Sequence, residues 1–89
     1  VRLTRFEWDE ANESHIARHG VEASEVEEVF RHDPYVRRGR HDRYLAYGAT
    51  SNGRHLFVVL VRRGKGVVRV ITARDMTTRE RKAYRRWRR

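Results

Sequence analysis

The chain has 89 residues, no cysteine, one proline and a formal charge of +9 at pH 7. That length holds one domain, 1–89, whose core is modest because about 60–65% of the unfolded surface is buried at this size. The lack of cysteine excludes a disulfide framework or thiolate metal cluster and fits a reducing cytoplasm, and no apolar run approaches the roughly 20 residues of a membrane span.

Taken in chain order, Arg5-Phe6-Glu7-Trp8 alternates as a short strand does. Asp9 then caps a helix over about Glu10–His19, with Gly20 as its stop. Ser24-x-x-Glu27 has the form of a capping box that starts a second helix, and Ala23, Val26, Val29 and Phe30 give it one apolar face. Asp33-Pro34 ends it, because the residue before proline avoids the α region. From Tyr35 the period changes to two. Tyr35–Arg38 is an edge segment, and charged residues 37–42 form a loop. Arg43–Thr50 is a strand, and Ser51-Asn52-Gly53-Arg54 is a hairpin turn. His55–Arg62 contains six successive apolar residues, Leu56 to Val61, as a strand buried on both faces does. Val67–Arg74 is the last strand, and Thr77-x-x-Glu80 caps a terminal helix that runs to about Arg88. The order β-α-α-β-β-β-α predicts an α+β fold: a single antiparallel sheet with two N-terminal helices and one C-terminal helix, packed mainly on one face.

The charge is divided along this order. Residues 1–34 carry nine acids against four arginines, a net of −5, and residues 35–89 carry 17 bases against three acids, a net of +14. Nineteen of the 21 bases are arginine, the better planar ligand for phosphate. Such asymmetry favours a polyanionic partner for the second part. Arg62, Arg63, Arg69 and Arg74 lie on the last strands, and Arg79, Arg81, Lys82, Arg85, Arg86, Arg88 and Arg89 decorate the terminal helix. Arg69, in mid-strand between Val68 and Val70, has two readings. It either pairs with an acid from the N-terminal helices or forms a phosphate site on an open sheet face. Met76, Ala83, Tyr84 and Trp87 fall at helical spacing, which favours core packing over a base-stacking platform. Tyr84 still offers a hydroxyl for proton transfer, and the flanking cations would lower its pKa.

His15 and His19 have the spacing of a ligand pair, but Ile-Ala-Arg lies between them and no third ligand is indicated, so no metal is expected. His41 and His55 sit at or near loops, where they serve as proton shuttles or as plain surface residues. With no Gly-rich phosphate loop, nucleophile elbow or paired carboxylates in the basic part, ATPase, hydrolase-triad and glycosidase chemistry lack support. No cofactor is expected.

Phe6-Glu7-Trp8-Asp9-Glu10, Asn12, His19-Gly20-Val21 and Glu25 through Phe30 together resemble the N-terminal signature of the BrnT family of toxins. The second half is similar in the same way, through Arg43-Tyr44, Gly48, Gly53-Arg54, Val70-Ile71-Thr72-Ala73-Arg74, Thr78-Arg79-Glu80-Arg81 and Tyr84. This resemblance covers nearly the whole chain. It implies a RelE-like fold and a toxin of a type II toxin–antitoxin system. Such a toxin is a metal-independent ribonuclease that cleaves RNA, on or off the ribosome, and inhibits translation. It further implies a cognate DNA-binding antitoxin of ribbon-helix-helix type, with operator DNA reached only through that antitoxin, and a cytoplasmic location without membrane contact. On this basis Arg69, Arg74, Tyr84 and His19 are the candidate catalytic residues, and Arg62, Arg63, Arg79, Arg81 and Arg85 are candidate phosphate ligands. The alternative is a non-catalytic basic module of the same fold that binds RNA or a partner through charge alone.

Overall fold

The computed structural model describes residues 5–88; Arg89, counted above among the basic residues of the terminal helix, lies outside them. The elements are β1 (Arg5–Glu7), α1 (Glu10–Ala17), α2 (Ala23–Arg31), β2 (Tyr35–Arg38), β3 (Arg43–Ala49), β4 (His55–Gly64), β5 (Val67–Asp75) and α3 (Thr78–Trp87). The five strands form one sheet in the order β1-β5-β4-β3-β2, with the apolar β4 at its centre.

The α+β class and the places of the three helices along the chain agree with the sequence reading, and three details differ. Tyr35–Arg38 is a full strand, paired with β3 from Tyr35↔Tyr47 to Arg38↔Tyr44, which makes five strands instead of four. The sheet is mixed, because β1 runs parallel to β5 through Phe6↔Val68. A three-residue strand whose partner lies some sixty residues away leaves no local trace of its direction. The helices also divide between both faces. Tyr44 and Ala46 of β3 join the core under α1 and α2, whereas Leu45 and Tyr47 join Met76, Tyr84 and Trp87 under α3. Successive strand residues point to opposite faces, so α3 lies across the sheet from the other two helices.

Local signals explain the helix starts. Asp9 accepts from the Asn12 N–H at 3.1 Å, and Asn12 Oδ1 accepts from the Asp9 N–H at 2.9 Å. The Asn12 amide, buried at the junction of β1, α1 and β5, donates to the carbonyls of Glu7 and Val70. Thr77 and Glu80 cap α3 reciprocally, as expected. The second helix starts earlier than expected: Glu22 is its N-cap, and Glu25, not Glu27, returns a carboxylate to the cap N–H at 3.0 Å. Ser24 is an exposed residue within the first turn.

Gly48 lets α2 approach the sheet. A Cβ there would lie 2.7 Å from Val29 Cγ1 and 3.3 Å from Pro34 Cβ, and Val29 is fully buried. Gly48→Ala is therefore expected to lower stability by about 1–3 kcal/mol, since α2 must shift to admit one methyl group. Urea titration monitored by circular dichroism measures this; an unchanged midpoint would show that α2 moves freely on β3.

Candidate functional site

Strand alternation places one layer of side chains between the sheet and α3. On β4 it holds His55 and Phe57, on β3 Leu45 and Tyr47, on β2 Tyr35 and on β5 Arg74. Trp87 stacks on Tyr35 with ring centroids 4.3 Å apart and meets Tyr47 edge-on at 4.9 Å. Tyr47 also touches Phe57 at 5.0 Å. Burial, and secondarily the Glu80 carboxylate, raise the Tyr47 pKa, so its phenol stays neutral at physiological pH.

Arg74 is the fixed cation of this layer. Its guanidinium lies over the Phe57 ring at 4.4 Å and binds both Glu80 oxygens at 2.9 Å. Nη1 also donates to the Asp75 carbonyl at 3.0 Å. Of the five N–H donors of a guanidinium, this set leaves those on Nε and on one side of Nη2, the fork suited to a phosphate. The Glu80 bond raises the Arg74 pKa further above its ordinary value. Reciprocally, the guanidinium holds the Glu80 carboxyl below the usual carboxylate range.

Tyr84 is only 3% exposed, and its hydroxyl accepts from Arg88 Nη1 at 2.7 Å. Its ring therefore packs in the core, as the stripe at helical spacing suggested. His55 is half-buried at the start of β4, with its ring against the edge of Tyr84 at 5.7 Å. It shares a sheet face with Phe57, two residues on, and hence with Arg74.

The other expected residues lie elsewhere. Arg69 takes the ion-paired reading: it meets Asp9 at 2.9 and 3.2 Å and Glu7 at 3.3 Å. Asp9 has its pKa lowered first by this bond and then by the Asn12 N–H. Arg63 adds a contact to Glu7 at 3.3 Å. Arg69 faces Val61 and Arg74 faces Phe57, so the two guanidiniums stand on strand positions about 13 Å apart. A register shift between Val59 and Leu60 leaves Ile71 unpaired and turns both arginines to one face, although their positions differ by an odd number, five. His19 is exposed in the turn after α1, its ring 5.8 Å from that of His15, whose Nε2 lies 3.1 Å from the Thr72 hydroxyl. His41 sits in the exposed β2–β3 turn, at the end of the sheet opposite His55. Arg62 is exposed near that same end, and Arg79, Arg81 and Arg85 are exposed on α3. Among the described residues no three His, Asp or Glu side chains gather in a way that could hold a metal ion, and no helix is long and apolar enough to cross a membrane.

Sequence reading missed Arg54 as a clamp. Its guanidinium binds Asp75 at 2.8 and 3.3 Å, Glu25 at 3.0 and 3.1 Å and the Gly20 carbonyl at 2.8 Å. It thereby joins the α1–α2 loop, the first turn of α2 and the end of β5, right beside Arg74. Position 54 reads as a turn residue, and only its place in the quoted signature marked it.

These ion pairs set an acid limit on stability. Arg54 lowers the Asp75 pKa and Arg74 lowers that of Glu80. A carboxyl depressed in the folded state stabilises above its unfolded pKa and loses that contribution as pH falls through the folded value. The melting temperature is therefore expected to be flat above about pH 5.5 and to fall below about pH 4. Calorimetry on wild type and the Asp75→Asn/Glu80→Gln double variant checks this; equal acid slopes would remove these carboxylates from the explanation.

A family model described as "Ribonuclease toxin, BrnT, of type II toxin-antitoxin system" matches residues 8–80. No curated protein matches the chain. Among solved structures, the 1.1 Å crystal structure of the Brucella abortus ribonuclease toxin BrnT is similar with a TM-score of 0.69 and 23% identity. The similarity covers 85% of this chain and all of that one, and at this identity it establishes the shared fold.

Proposed function

The chain belongs to the BrnT family of ribonuclease toxins of type II toxin–antitoxin systems, and from that premise we propose that it cleaves RNA without a metal ion, arrests translation in the cytoplasm and is neutralised by a cognate antitoxin. The observation that carries this reading is Arg74, held over the Phe57 ring by Glu80 with His55 on the same sheet face. The family supplies the reaction class, and this layer supplies a cation and an imidazole for it.

In metal-free cleavage the ribose 2′-oxygen attacks the adjacent phosphorus, the P–O5′ bond breaks, and a 2′,3′-cyclic phosphate and a 5′-hydroxyl result. A base removes the 2′ proton, an acid protonates O5′, and a cation offsets charge on the phosphoryl oxygens. In the proposal Arg74 carries the last role through its free Nε–Nη2 fork. An imidazole can accept a proton near neutral pH, so in the proposal His55 removes the 2′ proton as base and water protonates the departing O5′. Arg79, Arg81 and Arg85, exposed on α3, attract the RNA backbone from solution. Arg69, already paired with two acids, and His19, exposed past the C-terminal end of α1, take no part in this reading.

Purified protein incubated with RNA in excess EDTA tests the proposal. The expected result is fragments ending in a cyclic phosphate and a 5′-hydroxyl. Salt-sensitive binding that leaves the RNA intact, with and without ribosomes, would instead make the chain a binding module.

A further inference from the structure

Across the sheet from α3, the α2 face is incompletely covered. Where α2 ends, an open cleft of about 1090 Å³ lies between it and the ends of β2 to β5. Phe30, Val36, Tyr44 and Leu60 supply its apolar lining, and Arg31, Arg38 and Arg62 stand at its rim. Val36 is the large hydrophobic residue left exposed among those described, at 46%. It sits on β2, which among the described residues is hydrogen-bonded on one side only, to β3.

An edge strand with free backbone groups beside an apolar pocket is the geometry that accepts an added peptide strand. The chemistry of the edge selects the occupant. A second copy of this chain would bring Arg37, Arg38 and Arg40 against the same arginines, so self-pairing is opposed by charge. RNA could use the rings of Phe6, Phe30 and Tyr44 but has no strand to add, so it would leave the backbone N–H and C=O groups on the free edge of β2 unpaired. An acid-bearing peptide satisfies both features: its backbone pairs with β2, and its carboxylates meet Arg31 and Arg62, which make no salt bridge among the described residues.

We propose that the antitoxin holds this toxin by laying an extended acidic segment along the free edge of β2, with one apolar side chain seated in the cleft beside Val36. This rests on the family's pairing of toxin with antitoxin. It places the grip on the sheet face opposite Arg74, so the holding contact and the RNA site are separate surfaces.

The probe is the small protein encoded beside this chain's gene, purified alone and titrated by calorimetry. Val36→Asp and, separately, Arg31→Glu are expected to weaken binding at least about tenfold while leaving RNA cleavage unchanged; Arg18→Glu, exposed just after α1, leaves affinity unchanged. Binding is also expected to slow hydrogen exchange of β2 amides. Two variants guard against a folding defect in one. Wild-type affinity in both variants overturns the proposal, as does loss of cleavage with affinity intact, which would give the cleft to RNA. If the wild-type protein does not bind the probe at all, the toxin–antitoxin pairing itself fails, and the proposal falls with it.

Discussion

Arg74→Ala is expected to reduce RNA cleavage at least about 100-fold and to abolish growth arrest when the chain is expressed without antitoxin. Losing one fixed donor to a developing phosphoryl charge typically costs a factor of about 100–1,000. The effect belongs at the upper part of that range here, because the substitution removes the cation and leaves Glu80 unopposed beside the phosphate. Arg74 is clamped by both Glu80 oxygens and stacked on Phe57, so little reorganisation is needed when substrate arrives. Arg74→Lys keeps the charge but not the planar fork or the stack, and recovers only part of the rate. Removing Arg74 also weakens a half-buried ion pair, so activity must be compared at a temperature where circular dichroism shows both proteins folded. A folded Arg74→Ala protein that cleaves and arrests growth like wild type would remove Arg74 from the site.

The same pair argues against the simplest use of the chain's positive charge. The split between an acidic first third and a basic remainder suggests a bare cationic surface. In the folded chain, acids of the first third reach across to particular arginines: Glu7 and Asp9 to Arg69, and Glu25 to Arg54. The asymmetry is thus partly internal glue. Arg79, Arg81 and Arg85 remain exposed, and Arg31, Arg38 and Arg62 rim the opposite cleft.

Much of the fold is legible because its signals are local. Asp9, Thr77 and the run Leu56–Val61 announce two caps and the central strand within a few residues of themselves. What escapes depends on distant pairing. The direction of β1 is set by Val68, and the face that Arg74 occupies is set by a register shift opposite Val59 and Leu60. Alternation from Arg69 alone would put Arg74 on the wrong face. The signature residues tell a similar story: Asp9, Asn12, Gly20, Glu25, Arg54, Arg74 and Glu80 are mutual partners in caps and clamps. Their spacing marks the fold strongly and the chemistry only indirectly. Tyr84 illustrates the difference, since its helical spacing and flanking arginines allow both packing and proton transfer, and only the fold shows its side chain buried between α3 and the sheet.

His55→Gln is the substitution that separates chemistry from architecture in this layer. Glutamine approximates the size of imidazole and keeps a polar group but cannot exchange a proton near neutral pH, so a loss of about 100-fold or more is expected if His55 acts as the base. The loss should be accompanied by removal of one limb of the pH–rate profile, which a packing defect would not alter. Tyr84→Phe removes only a hydroxyl that already accepts from Arg88, and is expected to stay within about threefold of wild type. His55 borders Tyr84 edge-on at 5.7 Å, so Tyr84→Ala would also release the imidazole and lower the rate through its position. The contrast between Phe and Ala at position 84 therefore reports packing, and Gln at position 55 reports proton transfer. If Tyr84→Phe abolished cleavage while His55→Gln cleaved normally, the phenol would be the proton-transfer group, and α3 would have to open for RNA to reach it.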